Sequence, residues 1–134
     1  MSMLITNISL DGEEAAIYIE AGHIHTIYRK DQLPPQADTD ELIDGGGAYV
    51  VPALKNGHTH AAMTLLRGFA DDMKLQPWLE QKIWPTEAKL TAEDIYWGTR
   101  LAALEMIKSG TVFFTDMYFH YPESRQAIQD AGIK

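Results

Sequence analysis

Apolar and polar residues alternate through Met3–Leu10 (MLITNISL), Ala15–Glu20 (AAIYIE) and Ile24–Arg29 (IHTIYR), the period of strands that bury one face. Gly12 and the pair Ala21-Gly22 fall between these runs as turns, so the pattern predicts a meander of hairpins. Lys30–Glu41 (KDQLPPQADTDE) is polar, holds two consecutive prolines and has no apolar period, which predicts a surface loop. A short strand is expected at Leu42–Asp44. Gly45–Gly47 then reads as a flexible hinge and sets the expected division, a β-rich segment over 1–47 and a second domain over 48–134.

Beyond the hinge the period changes. Ala48–His60 reads as extended chain, and Pro77 suits the first turn of a short helix through Trp78, Leu79 and Ile83 that ends before Pro85. A longer helix follows: Thr91 is its cap, Glu93 and Asp94 suit its positive end, Lys108 its negative end, and Gly110 its termination. Thr111–Asp116 (TVFFTD) is unbroken, β-branched and aromatic, the mark of a strand buried on both faces of a parallel sheet. YPESRQAIQDAGIK begins another helix. Strand, helix, strand, helix with right-handed connections opens an α/β barrel or an open parallel sheet. A closed eightfold barrel takes roughly 250 residues. Residues 48–134 supply about two of its repeats, so the sequence reads as the beginning of something larger.

Composition narrows the partners. The chain has 134 residues, 46% of them hydrophobic, enough for a real core. Eleven Lys and Arg against nineteen Asp and Glu leave a net charge of -8, which repels nucleic acid and anionic membranes at long range. A small neutral or cationic partner fits better. The absence of cysteine removes disulfides and thiolate metal sites, so transition-metal ligands must be His, Asp or Glu. The N-terminus lacks a basic region followed by a long apolar segment, and no apolar run reaches the roughly 18 residues that a membrane span needs. A soluble, unexported, cytoplasmic chain is expected.

Two histidine pairs share one spacing. His58 and His60 follow the apolar stretch Ala48–Leu54, and on a strand residues i and i+2 project from the same face. They read either as ordinary strand-end histidines or as two ligands of a metal that needs three or more. Their place at the end of the first strand after the hinge is where α/β barrels carry functional groups. His23 and His25 flank Ile24 on an expected half-exposed hairpin strand, one apolar residue inward and two polar outward, and read as surface residues. Asp71 and Asp72 are adjacent and diverge, which suits loop-stabilising or capping roles better than an acid/base pair. Arg67 has a plausible partner in either of them. His120, just past Asp116, is a candidate substrate contact.

The run VVPALKNGHTHAAMTLLRGFADDMKLQPWLEQKIWPTEAKLT, followed by SGTVFFTDMYFH, resembles the amidohydrolase superfamily. Within it the likeness is to the cytosine-deaminase-like and chlorohydrolase-like branch that includes the S-adenosylhomocysteine and 5'-methylthioadenosine deaminases, and it spans essentially the whole chain. The resemblance implies the N-terminal part of a composite β-sandwich, followed by the first strand-helix units of a metal-dependent hydrolase TIM (β/α)8 barrel. It implies that His58 and His60 are metal ligands, for Zn2+ first and Fe2+ next. Glu87 falls at the family's substrate-binding carboxylate, which takes hydrogen bonds from ribose hydroxyls, and Trp84 at a pocket wall. The aspartate that binds metal in the family comes from the last barrel strand, so that role does not pass to Asp116. Two more histidines, a glutamate and an aspartate are expected from later strands.

The implied activity is hydrolytic deamination of an adenosine-type nucleoside by a metal-activated water, with release of ammonia. Guanine, cytosine or triazine aminohydrolases and chlorohydrolases on the same scaffold are the alternative. A reading of another class is a non-catalytic piece or split subunit whose missing barrel portion comes from a partner chain. Homo-oligomerisation is left open.

Overall fold

The computed structural model describes residues 1–32 and 39–134. They divide into two compact units, Met1–Pro52 and Ala53–Lys134. The first unit is a sheet of four strands: β1 (Ser2–Leu10), β2 (Glu13–Glu20), β3 (His23–Arg29) and β4 (Glu41–Val50). Their order is β3-β2-β1-β4, with β1 antiparallel to β2 and parallel to β4. The hairpins follow from the alternation and from left-handed turn residues at Asp11-Gly12 and Ala21-Gly22. Ile8, Ala15 and Ile17 form the buried centre, with Ile5, Leu10, Ile19 and Val50 packed against them.

Three expectations change here. Gly45–Gly47 is no hinge but part of β4, which is much longer than Leu42–Asp44. Asp44 lies opposite Thr6 and Ala48 opposite Ile8, so the extra residues of β4 are taken up in a bulge. A Cβ on Gly45 would collide with Ile8 Cγ2 and press on the carbonyl of Asn7, while Gly46 and Gly47 take φ of +60° and +78°. The glycines answer a close approach and a left-handed turn. The first compact unit continues past that run to Pro52. Ile24, expected to point inward, is 63% exposed at the far end of outer strand β3. Of the expected loop, Lys30–Gln32 forms a 3-10 turn and residues 33–38 lie outside the described residues.

The second unit begins with β5 (Leu54–Thr59) and a 3-10 segment, Ala61–Leu66. Then come α1 (Leu75–Trp78), a π-helical turn (Leu79–Ile83) and α2 (Trp84–Glu87). α3 (Ala92–Lys108), β6 (Thr111–Asp116) and α4 (Tyr121–Ala131) complete it. β5 and β6 pair in parallel with α3 as the connection, which is the βαβ unit the sequence predicts. The α3 cap is also as expected: Thr91 accepts from the Asp94 N–H while the Asp94 carboxylate takes the Thr91 N–H.

The core of this unit joins Ala61, Ala102, Ala103, Phe114 and Ile133, with Met106, Ile128 and Ala131 packed on it. Burying side chains such as Ile83 and Ile95, 1% and 0% exposed, stabilises by about 1.5–3 kcal/mol each. Gly98 lets α3 sit directly on the 3-10 segment, since a Cβ there would stand 2.8 Å from the Ala62 carbonyl oxygen.

Two further corrections concern this unit. The first helix does not stop before Pro85: the Trp84 N–H reaches back to Leu79 O across the π-turn, and the helical chain continues through Pro85 into α2. β6 is buried only in part. Thr111 and Phe114, which alternation places on opposite faces, are buried, while Val112 and Phe113 are 49% and 41% exposed. After α4 the backbone returns to β6: Lys134 N–H bonds Val112 O, and Lys134 O accepts from Phe114 N–H. Those two bonds have the pattern of a parallel bridge.

Candidate functional site

β5 ends at Thr59, and the histidines stand on either side of that residue. Their rings lie 5.0 Å apart, edge to face at 86°, so the i, i+2 spacing brings two imidazoles together as geometry requires. His60 Nδ1 is 2.7 Å from the Met117 carbonyl oxygen. A carbonyl only accepts, so in the neutral ring Nδ1 carries the proton and Nε2 presents its lone pair. This is the outer hydrogen bond that orients metal-binding imidazoles. Donor type, spacing and tautomer thus suit half of a zinc or iron site. Among the described residues no group of three or more His, Asp or Glu side chains is placed to hold a metal ion.

The turn beyond β5 is locked by Asp116, the last residue of β6. Its Oδ1 accepts from Ala61 N–H at 2.8 Å and Thr59 Oγ1 at 3.0 Å, and its Oδ2 from Ser124 Oγ at 3.2 Å. The Met117 N–H also bonds Thr59 O. Asp116 therefore shapes the backbone between the histidines, a use that its place at a strand end did not disclose.

His60 opens onto a cavity of about 480 Å3 that is also lined by Glu87, Trp84 and Tyr118, with Met63 and Phe119 among its apolar walls. Glu87 and Trp84, singled out from the sequence, share one space with one of the histidines. Tyr118 donates to Glu87 Oε1 at 2.7 Å. Burial first, then the hydrogen bond and the negative charge of Glu87, raise the Tyr118 phenol well above its ordinary 10.0. It remains a donor wherever the protein is folded near neutral pH. Neither this phenol nor the Met117 carbonyl was foreseen. The aromatic run at Tyr118-Phe119 straight after a strand end was the available signal for the first, and a main-chain carbonyl leaves none.

The other candidates do not line this cavity. His120, in the left-handed region at φ 50°, borders a second cavity of about 420 Å3 that shares Trp84 and Glu87 with the first. Arg67 pairs with Glu105 through both guanidinium nitrogens, at 3.1 and 2.6 Å, and not with Asp71 or Asp72, because α3 packs against the 3-10 segment that Arg67 follows. Asp71 and Asp72 do not cap α1, whose N-cap is Lys74 with no side-chain cap bond. His23 and His25 are exposed; His23 Nδ1 meets Ala21 O at 3.0 Å and His25 Nδ1 meets Thr26 Oγ1 at 2.9 Å.

Residues 49–133 match the sequence model of the Amidohydrolase family. The chain is 51% identical over 134 residues to a 5'-deoxyadenosine deaminase of Methanoregula boonei, a match covering 99% of this chain and 30% of that protein. It is 49% identical over 142 residues to a 5-methylthioadenosine/S-adenosylhomocysteine deaminase of Syntrophomonas wolfei, covering 100% of this chain and 32% of the other. In structure it superposes with TM-score 0.82 on an adenosine deaminase from Xanthomonas campestris with bound zinc, at 29% identity, over 99% of this chain and 32% of that one. The chain thus spans about a third of the length of these relatives and corresponds to an N-terminal portion of them.

Proposed function

The chain belongs to the amidohydrolase family, and on that premise we propose that it is the N-terminal third of a metal-dependent deaminase of adenosine-type nucleosides. The observation that carries this reading is one cavity lined by both His60 and Glu87 among apolar and aromatic side chains. The two polar groups suit two parts of one ligand. Glu87 accepts hydrogen bonds from neighbouring ribose hydroxyls. Trp84 and Phe119 offer flat faces that exclude water from a purine ring.

His58 and His60 would hold the metal, zinc first and iron second, together with ligands from the remaining length of a closed barrel. Such an ion supplies a Lewis acid that makes water nucleophilic near neutral pH. The residues of this chain orient and bind. Met117 O fixes the ring of His60, Asp116 fixes the turn that carries it, and Glu87 holds the sugar so that the amino-bearing carbon faces the metal end. High identity to deaminases over the whole chain supports adenosine-type substrates over the guanine, cytosine and triazine alternatives.

The test is ammonia release by the full-length enzyme from adenosine, 5'-deoxyadenosine and 5'-methylthioadenosine, with guanine and cytosine alongside. Glu87→Ala is expected to lower kcat/KM on the nucleosides roughly tenfold to a hundredfold, with metal content unchanged. Turnover of the free bases but of none of the nucleosides would overturn the reading.

A further inference from the structure

We propose that Tyr118 is a positioning residue, whose phenol holds the Glu87 carboxylate so that its remaining lone pairs meet a vicinal pair of hydroxyls. The dipeptide Met117-Tyr118 would then orient both His60 and Glu87 at once. This rests on the reading of Glu87 as the nucleoside-binding carboxylate. The geometry behind it is direct: Tyr118 Oη donates to Glu87 Oε1 at 2.7 Å in a half-buried setting, and both side chains line the cavity that His60 enters.

A glutamate at the end of a short helix has three rotatable bonds, and a ligand that had to order it would bind more weakly for that reason. The phenol removes the freedom in advance. A carboxylate has about four lone-pair sites, so one donated bond on Oε1 leaves Oε2 and part of Oε1 open to two hydroxyls. Tyr118 is itself well placed to be rigid. Its ring packs on Phe119 at 5.1 Å and lies 6.3 Å from His60. The residue before it is pinned on both sides: the Met117 N–H bonds Thr59 O at 3.2 Å, and Met117 O receives His60 Nδ1 at 2.7 Å. The contacts that set the imidazole therefore also set the backbone from which the phenol reaches Glu87.

A purely structural role would tie the exit of β6 to the end of α2 and nothing more. It predicts a loss of stability with no effect on how hydroxyls are recognised. Positioning predicts the reverse emphasis, because a hydroxyl contact made equally in ground and transition states appears in KM.

The experiment uses the zinc-loaded full-length enzyme, with steady-state kinetics on adenosine and on 2',3'-dideoxyadenosine. It compares the parent, Tyr118→Phe, Glu87→Ala and the double variant. Tyr118→Phe is expected to raise KM for adenosine roughly tenfold, the size of one charge-assisted hydrogen bond, with kcat within about a factor of two and no change on the dideoxy compound. The double variant should be no worse than Glu87→Ala alone. Equal penalties on both nucleosides, additive penalties in the double variant, or a lower Tm with unchanged KM would each overturn positioning. If Glu87→Ala itself treats the two nucleosides alike, the reading of Glu87 fails and this proposal with it. If Glu87→Ala separates them and Tyr118→Phe does not, positioning alone fails.

Discussion

Thr99 on α3 is fully buried, and among the described residues its hydroxyl is the buried side-chain group with no hydrogen-bond partner. An unpaired buried hydroxyl costs about 1–3 kcal/mol, and valine has the same shape without it. Thr99→Val should therefore raise stability by about 1 kcal/mol in urea unfolding, and a fall would mean that the hydroxyl is paired after all. At this scale the sequence was informative where a side chain acts through its own position. The His58 and His60 spacing puts two rings on one side of a strand, and the rings do meet at 5.0 Å. It was silent where the partner is distant or is backbone. Arg67 finds Glu105, 38 residues on, in place of the nearby aspartates, and His60 leans on a carbonyl that every residue type provides.

Among the elements, α3 was the most legible because its signals are local. Thr91, Asp94, Lys108 and Gly110 carry its start and stop within the helix's own sequence. The first helix was misjudged because a π-turn lets the chain absorb Pro85, and the glycine run because the reason for Gly45 lies on another strand. The α3 cap also gives a pH dependence. Hydrogen bonds from the Thr91 backbone and side chain hold the Asp94 carboxyl below its ordinary 3.8, so the folded state binds this proton less tightly than the unfolded chain. The contribution is complete above 3.8 and fades as pH falls through the lower folded value. Acid unfolding should show it: Asp94→Asn ought to lose stability against the parent near neutral pH and lose less of it at the acid end. A difference that stays constant across that range would refute the cap's role.

At the scale of the whole molecule, the chain spans about a third of its relatives. In the proposed reading, His58 and His60 are only part of a ligand set. In the full-length protein, His58→Ala should reduce bound zinc from about one equivalent to a small residue after dialysis, since removing a ligand weakens a closed set steeply. Metal analysis at full parental content would remove His58 from the set. Several exposures also belong to this scale. Leu54 is 58% exposed and Phe119 58%, positions whose surroundings no local pattern specifies. The βαβ order could be read from sequence; which faces are covered could not.

The junction at Met117 and Tyr118 has an evolutionary consequence. The bond that steadies His60 comes from the main chain, so substitutions at position 117 leave its acceptor in place. The bond that steadies Glu87 comes from a side chain, so a single codon change at position 118 removes it. On the proposed reading, descendants of this chain would be able to drift in what they recognise while keeping the acceptor that steadies His60, because the two properties answer to different mutations.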